Sequence, residues 1–180
     1  PPPPPPLPST TLFRSVWCYD GDQAGPYTVE GTGVIPTEGL YDTLYDWDMT
    51  LQMADGVKIT FKAGSDSTKF IGTEARVEMT RSSLRAFPKD LLPADVPANN
   101  HQRNGAQHIQ VFADSIRSRQ PASSPIDDAV RSDVMSHLCD IAVRSGEKIT
   151  WDPARQRITG GSEKAQSMAS RPMRAPWTLS

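Results

Sequence analysis

A chain of 180 residues is long enough for one domain with a real core, and 37% of its residues are hydrophobic. With 19 Lys and Arg against 21 Asp and Glu, the formal charge of −2 argues against a protein that binds nucleic acid or coats a membrane surface. No apolar run approaches the roughly 20 residues needed to cross a bilayer, so a soluble globular domain is expected, with neither nucleic acid nor membrane as partner.

The first fifteen residues stand apart. Pro1 to Pro6 and Pro8 remove backbone donors and cannot build a helix or a central strand, so this leader is expected to be extended and unpacked. Such a stretch also suits an SH3-type ligand or a stiff spacer. However, Thr11-Leu-Phe-Arg-Ser15 is also the translation of ACG-CTC-TTC-CGA-TCT, which resembles the end of a common sequencing adapter. Residues 1–15 are therefore expected to be a translated read artefact, with the natural protein continuing upstream of Val16. The domain proper is expected over 16–180.

Residues 16–22 form a short apolar piece ending in Asp20-Gly-Asp22, and Gly25-Pro26 signals a turn into a strand over 27–34. Pro36 and Gly39 break that strand. Residues 47–53 alternate apolar and polar with period two, Asp55-Gly56 marks a hairpin, and 57–62 alternate again. Val57, Ile59 and Phe61 share one face, and Lys58, Thr60 and Lys62 the other. Further strands are expected over 69–74, 75–79 and 82–87, giving a meander of about five or six strands that Pro88, Pro93 and Pro97 close.

The period then changes. From Gly105 to Arg119, Ile109, Phe112 and Ile116 recur at three- and four-residue spacing, which predicts a helix with one apolar stripe. Pro125 opens a second helix with Asp127 and Asp128 in its first turn, where carboxylates favour the positive end of the dipole. Val130, Val134, Leu138 and Ile141 are its expected seam, and Gly146 its end. Strands followed by helices indicate an α+β fold, a mostly antiparallel sheet with helices packed on one face.

Three segments carry a resemblance. Phe70-Ile-Gly-Thr-Glu-Ala75 is similar to a Gly-Thr-Glu turn, and His108 through Arg119 to a His-x-x-x-Phe-x-Asp-x-x-x-Ser-Arg helix. The third is His137-Leu-Cys-Asp-Ile-Ala-Val-Arg-Ser-Gly146, followed by Trp151-Asp-Pro153 and the tail Arg171-Pro-Met-Arg-Ala-Pro-Trp177. Together they resemble the bacterial-type C-terminal domain of Gfo/Idh/MocA oxidoreductases over roughly 16–180. The resemblance implies hydride transfer between a nicotinamide cofactor, NAD or NADP, and a sugar or polyol carbon. It also implies an N-terminal Rossmann domain as partner, and a homo-oligomer built through the sheet face.

The residues that such chemistry needs are not recognisable here. Dinucleotide binding requires a glycine-rich turn between strand and helix so that backbone N–H groups reach the pyrophosphate. Gly31-Thr-Gly33 has no third glycine in place and no helix after it. The family's Glu-Lys-Pro lysine motif is absent, since Ile149 follows Glu147-Lys148, and no Asp-x-x-x-His helix precedes the sheet. The expectation is a chain that binds no cofactor itself, has no catalytic or metal-binding residue of its own, and is inactive alone.

The histidines and cysteines fit no zinc spacing. Cys18 and Cys139 are expected to be buried or incidental, His101 solvent-exposed in a polar loop, and His108 a capping or packing residue. His137 with Arg131 is the weak candidate for a substrate-facing pair. Arg171, Arg174 and Trp177 suit either an anion clamp or an extended strap packed over the fold, and Pro172 and Pro176 favour the strap. The reading is thus the substrate-facing and oligomerisation domain of a truncated sugar-type oxidoreductase. The alternative is a stand-alone, non-catalytic carbohydrate- or protein-binding module. Neither fixes the compartment: the bacterial cytoplasm and export with a missing signal peptide both remain open.

Overall fold

The computed structural model describes Val16 and residues 19–64, 67–80, 83–92, 105–121 and 125–178, the side chains of Asp20 and of 105–108 excepted. The proline-rich leader, Cys18, the His101 loop and the His108 side chain lie outside the described residues. Among the described residues eight strands follow in chain order: β1 Tyr27–Val34, β2 Tyr45–Gln52, β3 Lys58–Lys62, β4 Ser67–Ile71, β5 Arg76–Thr80, β6 Leu84–Phe87, β7 Ile149–Asp152 and β8 Arg157–Gly160. The helices are α1 Gly105–Ser118, α2 Ile126–Ser145 and α3 Glu163–Met168. No helix among the described residues is long and apolar enough to cross a membrane.

The α+β class holds, and the strands divide between two antiparallel sheets. One has the order β3-β2-β1-β7-β8, the other β4-β5-β6. The expected single meander is interrupted because β1 pairs on its second edge with β7, Val29 opposite Ile149 and Tyr27 opposite Trp151. The chain thus returns after both long helices to complete the first sheet. Asp55-Gly56 makes the hairpin foreseen: Met53 N–H donates to Val57 O at 2.9 Å, and Gly56 takes φ 91°.

Period-two alternation decides which face of the five-stranded sheet is core. Tyr27 and Val29 on β1, Trp47, Met49 and Leu51 on β2, Phe61 on β3, Ile149 on β7 and Ile158 on β8 are all buried. Against them lies α2, whose Met135, Leu138, Cys139, Ile141 and Ala142 are buried. Each leucine fully withdrawn from water here contributes roughly 1.5–3 kcal/mol.

The seam of α2 is rotated from the expected one. Leu138 and Ile141 are in it, but Val130 is half exposed and Val134 only partly covered, while Met135, Cys139 and Ala142 occupy the centre. The buried Ser132 and Ser136 lie on the same side and turn their hydroxyls back onto Ala129 O and Ser132 O, so small residues bring the helix close to the sheet without an unpaired polar atom. The ends of α2 are those the sequence signals. Pro125 precedes the first turn, and Gly146 at φ 75° gives its N–H to Ala142 O at 3.0 Å while Glu147 N–H also reaches Ala142 O.

Candidate functional surfaces

Arg131, one of the two weak candidates, faces inward and bridges two carboxylates. Its guanidinium donates to Asp22 Oδ1 at 2.8 Å and to Asp128 Oδ1 at 2.6 Å. Asp22 is 1% exposed, and its second oxygen accepts from Gln23 Nε2 at 2.7 Å. A charge removed from water that far requires a partner, and the planar guanidinium fork supplies two directed donors. The arrangement fastens the 3₁₀ turn Asp20–Gln23 to the first turns of α2. Nearby, burial and the negative charge of Asp22 raise the Tyr27 phenol pKa well above its ordinary value, so this tyrosine stays neutral.

His137, the other candidate, points away from that cluster. Its side chain is 74% exposed, with Asp133 one turn back at 3.4 Å. Six positions at 100° each place Arg131 and His137 about 120° apart around the helix, so the structure does not bring the pair together. Cys139, between them and the sheet, is a free buried thiol whose pKa is pushed up to about 12, chiefly by burial and also by Asp140. A protonated, enclosed thiol is packing material rather than a nucleophile. Among the described residues no three His, Cys, Asp or Glu side chains converge to hold a metal ion.

Gly31 and Gly33, the only echo of a phosphate-binding turn, lie inside β1. A Cβ on Gly31 would collide with the Asp48 carbonyl of β2, and one on Gly33 would meet Leu44 Cδ1 at 2.5 Å. These glycines permit close strand packing, and no helix follows them. This glycine pair therefore does not form the strand-to-helix turn that cradles a pyrophosphate.

What the fold does present is a broad polar sheet face. Opposite the core, Thr28, Thr50, Thr60 and Thr150 stand among Glu30, Asp48, Gln52, Lys58 and Lys62, paired across strands as Thr28 with Gln52 and Thr150, Thr50 with Glu30 and Thr60, and Asp48 with Lys62. Two ion pairs cross it: Lys62 Nζ to Asp48 Oδ2 at 2.6 Å and Lys148 Nζ to Glu30 Oε1 at 3.0 Å. Of the apolar members of the 47–62 alternation, through which association was expected, Trp47, Met49, Leu51, Met53 and Phe61 belong to the buried core, Ile59 packs partly against it and Val57 is 40% exposed. The face left open is polar.

The tail differs from expectation as well. Residues 169–178 are exposed throughout, Trp177 at 64%, so Arg171, Arg174 and Trp177 form no strap over the sheet or helix layer. The core ends before the tail, at Ala165, which is buried, and Met168, which is partly covered.

Sequence reasoning missed three polar ties in this half of the molecule. Asp22 reads as a turn residue and meets Arg131 only through the tertiary fold. Glu147 accepts from Ser162 N at 3.0 Å and from the Ser162 hydroxyl, whose oxygen in turn caps α3 at Ala165 N. Asp55 accepts from Tyr19 Oη at 2.7 Å and from Val57 N, locking the N-terminal segment to the β2–β3 hairpin. The serine before Glu163 is a helix-cap signal that could have been seen; the other two partners are remote in sequence.

With this geometry established, comparison with known proteins decides the family. Residues 17–179 match the family described as "Oxidoreductase family, C-terminal alpha/beta domain", the Gfo/Idh/MocA group. The chain belongs to this family. A solved structure, that of the aldose-aldose oxidoreductase from Caulobacter crescentus complexed with glycerol, is similar at a TM-score of 0.58 and 14% identity. That similarity covers 78% of this chain and 44% of the other, so the chain spans less than half of its solved relative, and at such identity the likeness concerns the fold. No curated protein matches the sequence.

Proposed function

We propose that this domain is the C-terminal, substrate-facing and oligomerising part of an NAD(P)-dependent oxidoreductase that acts on sugars or polyols. The observation that carries the reading is the family match over residues 17–179 of a chain whose Gly31, Gly33 and Cys139 are engaged in packing. In such an enzyme the nicotinamide supplies the hydride chemistry from an N-terminal nucleotide-binding half. This domain shapes the substrate side and is inactive alone. His137, exposed on the outer side of α2, is the residue assigned to the substrate side in this reading. Arg131 positions the N-terminal segment instead of touching substrate.

The subunit contact of this reading is the open sheet face. Threonines, a glutamine and charges of both signs suit a wet, hydrogen-bonded interface better than a dry apolar one. Sedimentation of the chain tests it: association that weakens with salt and with Thr50→Arg is expected, and a clean monomer at high concentration counts against it.

The same polar face is what favours the second reading, a stand-alone module binding a carbohydrate or a protein. Following the natural reading frame upstream of Val16 separates the two. A glycine-rich βαβ unit and a Glu-Lys-Pro motif are expected there, and a start codon near Val16 would support the module. In a direct assay the purified chain should leave NAD and NADP unbound. Micromolar binding of either would overturn the assignment of the cofactor to another domain.

A further inference from the structure

Two exposed segments of opposite charge lie near one another in the fold. No lysine or arginine occurs between Val16 and Val57, where acids are frequent. Arg131, Lys148 and Lys62 answer Asp22, Glu30 and Asp48. Glu38 and Asp46, with Asp42 between them, enter no ion pair among the described residues. They stand in and beside the loop 35–44, which is described without a gap together with the strands β1 and β2 that it joins. The base of this loop is fixed, since Leu44 is fully buried and Arg144 Nη2 donates to Asp42 O at 2.6 Å. Its tip is apolar and open to solvent, with Leu40 96% exposed and Tyr41 55%.

The second segment is the tail. No aspartate or glutamate follows Glu163, and Arg171, Met173, Arg174 and Trp177 are all exposed. Pro172 and Pro176 restrict its backbone, and Trp177 N–H donates to Arg174 O at 3.0 Å, which holds these two residues on one short turn. Proline-rich segments dock on aromatic residues at low entropic cost, and the charges beside them set register and partner. Loop and tail meet at Arg144. Its guanidinium holds Asp42, and its carbonyl accepts from Lys164 Nζ at 3.0 Å, on the helix from which the tail leaves. The tail does not lie on the loop of its own chain, for both are exposed. A two-fold axis beside this corner brings each tail to the loop of the other copy, so that every contact is made twice. We propose that residues 171–177 of one copy seat on the 35–46 segment of a second copy, Arg171 and Arg174 against Glu38, Asp42 and Asp46, and Trp177 against Leu40 and Tyr41. This rests on the oligomerising role proposed above, because so small a contact needs the larger sheet-face contact beside it, and it adds the segment that the copies exchange.

The experiment uses two variants of the 180-residue chain, one with Arg171→Glu and Arg174→Glu, the other with Glu38→Lys and Asp46→Lys. All four positions are exposed, so each variant should keep the urea midpoint of the unmodified chain. In sedimentation each variant alone should associate about tenfold more weakly, because like charges then face one another. An equal mixture should return to within about twofold of the unmodified chain, since both contacts of a mixed pair are again complementary. A mixture that associates no better than its components would overturn the exchange, as it would if each tail folded onto its own loop. Unweakened association of both variants would also overturn it, and would leave the sheet-face contact and the proposed function standing. An unmodified chain that stays monomeric at high concentration would remove the proposed oligomer and this exchange together.

Discussion

The five-stranded sheet with α2 and the α1 helix obey the same sequence rule and end in opposite states. In both, apolar residues recur at the period of the element. In the first, Leu51, Met49 and Val29 meet Met135, Leu138 and Ala142 and are lost to solvent, and the buried acid Asp22 is answered by Arg131. In the second, Ile109, Phe112 and Ile116 stay in water. An amphipathic pattern shows that a face will be covered; it does not say whether the covering surface belongs to the same domain.

Substitutions can break that contrast, and the largest effect is expected in the core. Leu138→Ala removes a side chain that is 2% exposed at the α2–sheet contact, and should cost about 2–5 kcal/mol of unfolding free energy in a urea titration. A loss below about 1 kcal/mol would mean that α2 is not seated as described. Arg131→Met comes next, at about 2–4 kcal/mol, because it strands Asp22 in the interior. Adding Asp22→Asn should recover part of that loss, and simple additivity of the two changes would show that the pair is not coupled.

How much of this could be read from the sequence differs between the same two regions. Element order and type were legible because the turn signal before 27–34, the alternation over 47–62 and the three- and four-residue spacing of Ile109, Phe112 and Ile116 are local signals. So were the Asp55-Gly56 turn and the Gly146 stop. The pairing of β1 with β7, which splits the strands into two sheets, depends on Val29 finding Ile149 across both helices and has no local signature. The seam of α2 was misplaced for another reason: Met135, Cys139, Ala142, Ser132 and Ser136 compete with Val130 and Val134, and apolarity alone ranks valine above serine. Of the candidate site, the residue types were visible, but not that Arg131 turns inward to a buried acid while His137 turns outward.

Smaller effects sharpen the picture at the edges of the folded layer. Ser162→Ala removes the cap of α3 and its tie to Glu147, for about 1 kcal/mol, readable as a lower midpoint in urea. Asp152 gives a pH test. The backbone N–H of Arg155, with its guanidinium at 2.7 Å, holds this carboxyl below the usual range. A depressed folded pKa means that the stabilisation is present above the unfolded value of about 3.9 and is lost as pH falls through the folded one. Asp152→Asn should therefore lower the urea midpoint at neutral pH, and its deficit relative to the unmodified chain should shrink as the pH is taken below about 4. A deficit independent of pH would assign the effect to packing instead of charge.

The smallest expected change is the most telling for the comparison. Phe112→Glu alters a large aromatic residue at the centre of an apolar stripe, a substitution that in the β2 or α2 core would unfold the domain. On α1 of the 180-residue chain it should move the global unfolding free energy by no more than about 0.5 kcal/mol, because the ring already contacts water in the folded state. Solubility should rise and binding of an apolar dye should fall, since the patch that attracts both is interrupted. A loss of 2 kcal/mol or more, read from the urea midpoint at unchanged slope, would require that the stripe packs within the chain itself. The contrast between the two regions would then vanish, and α1 would count as core.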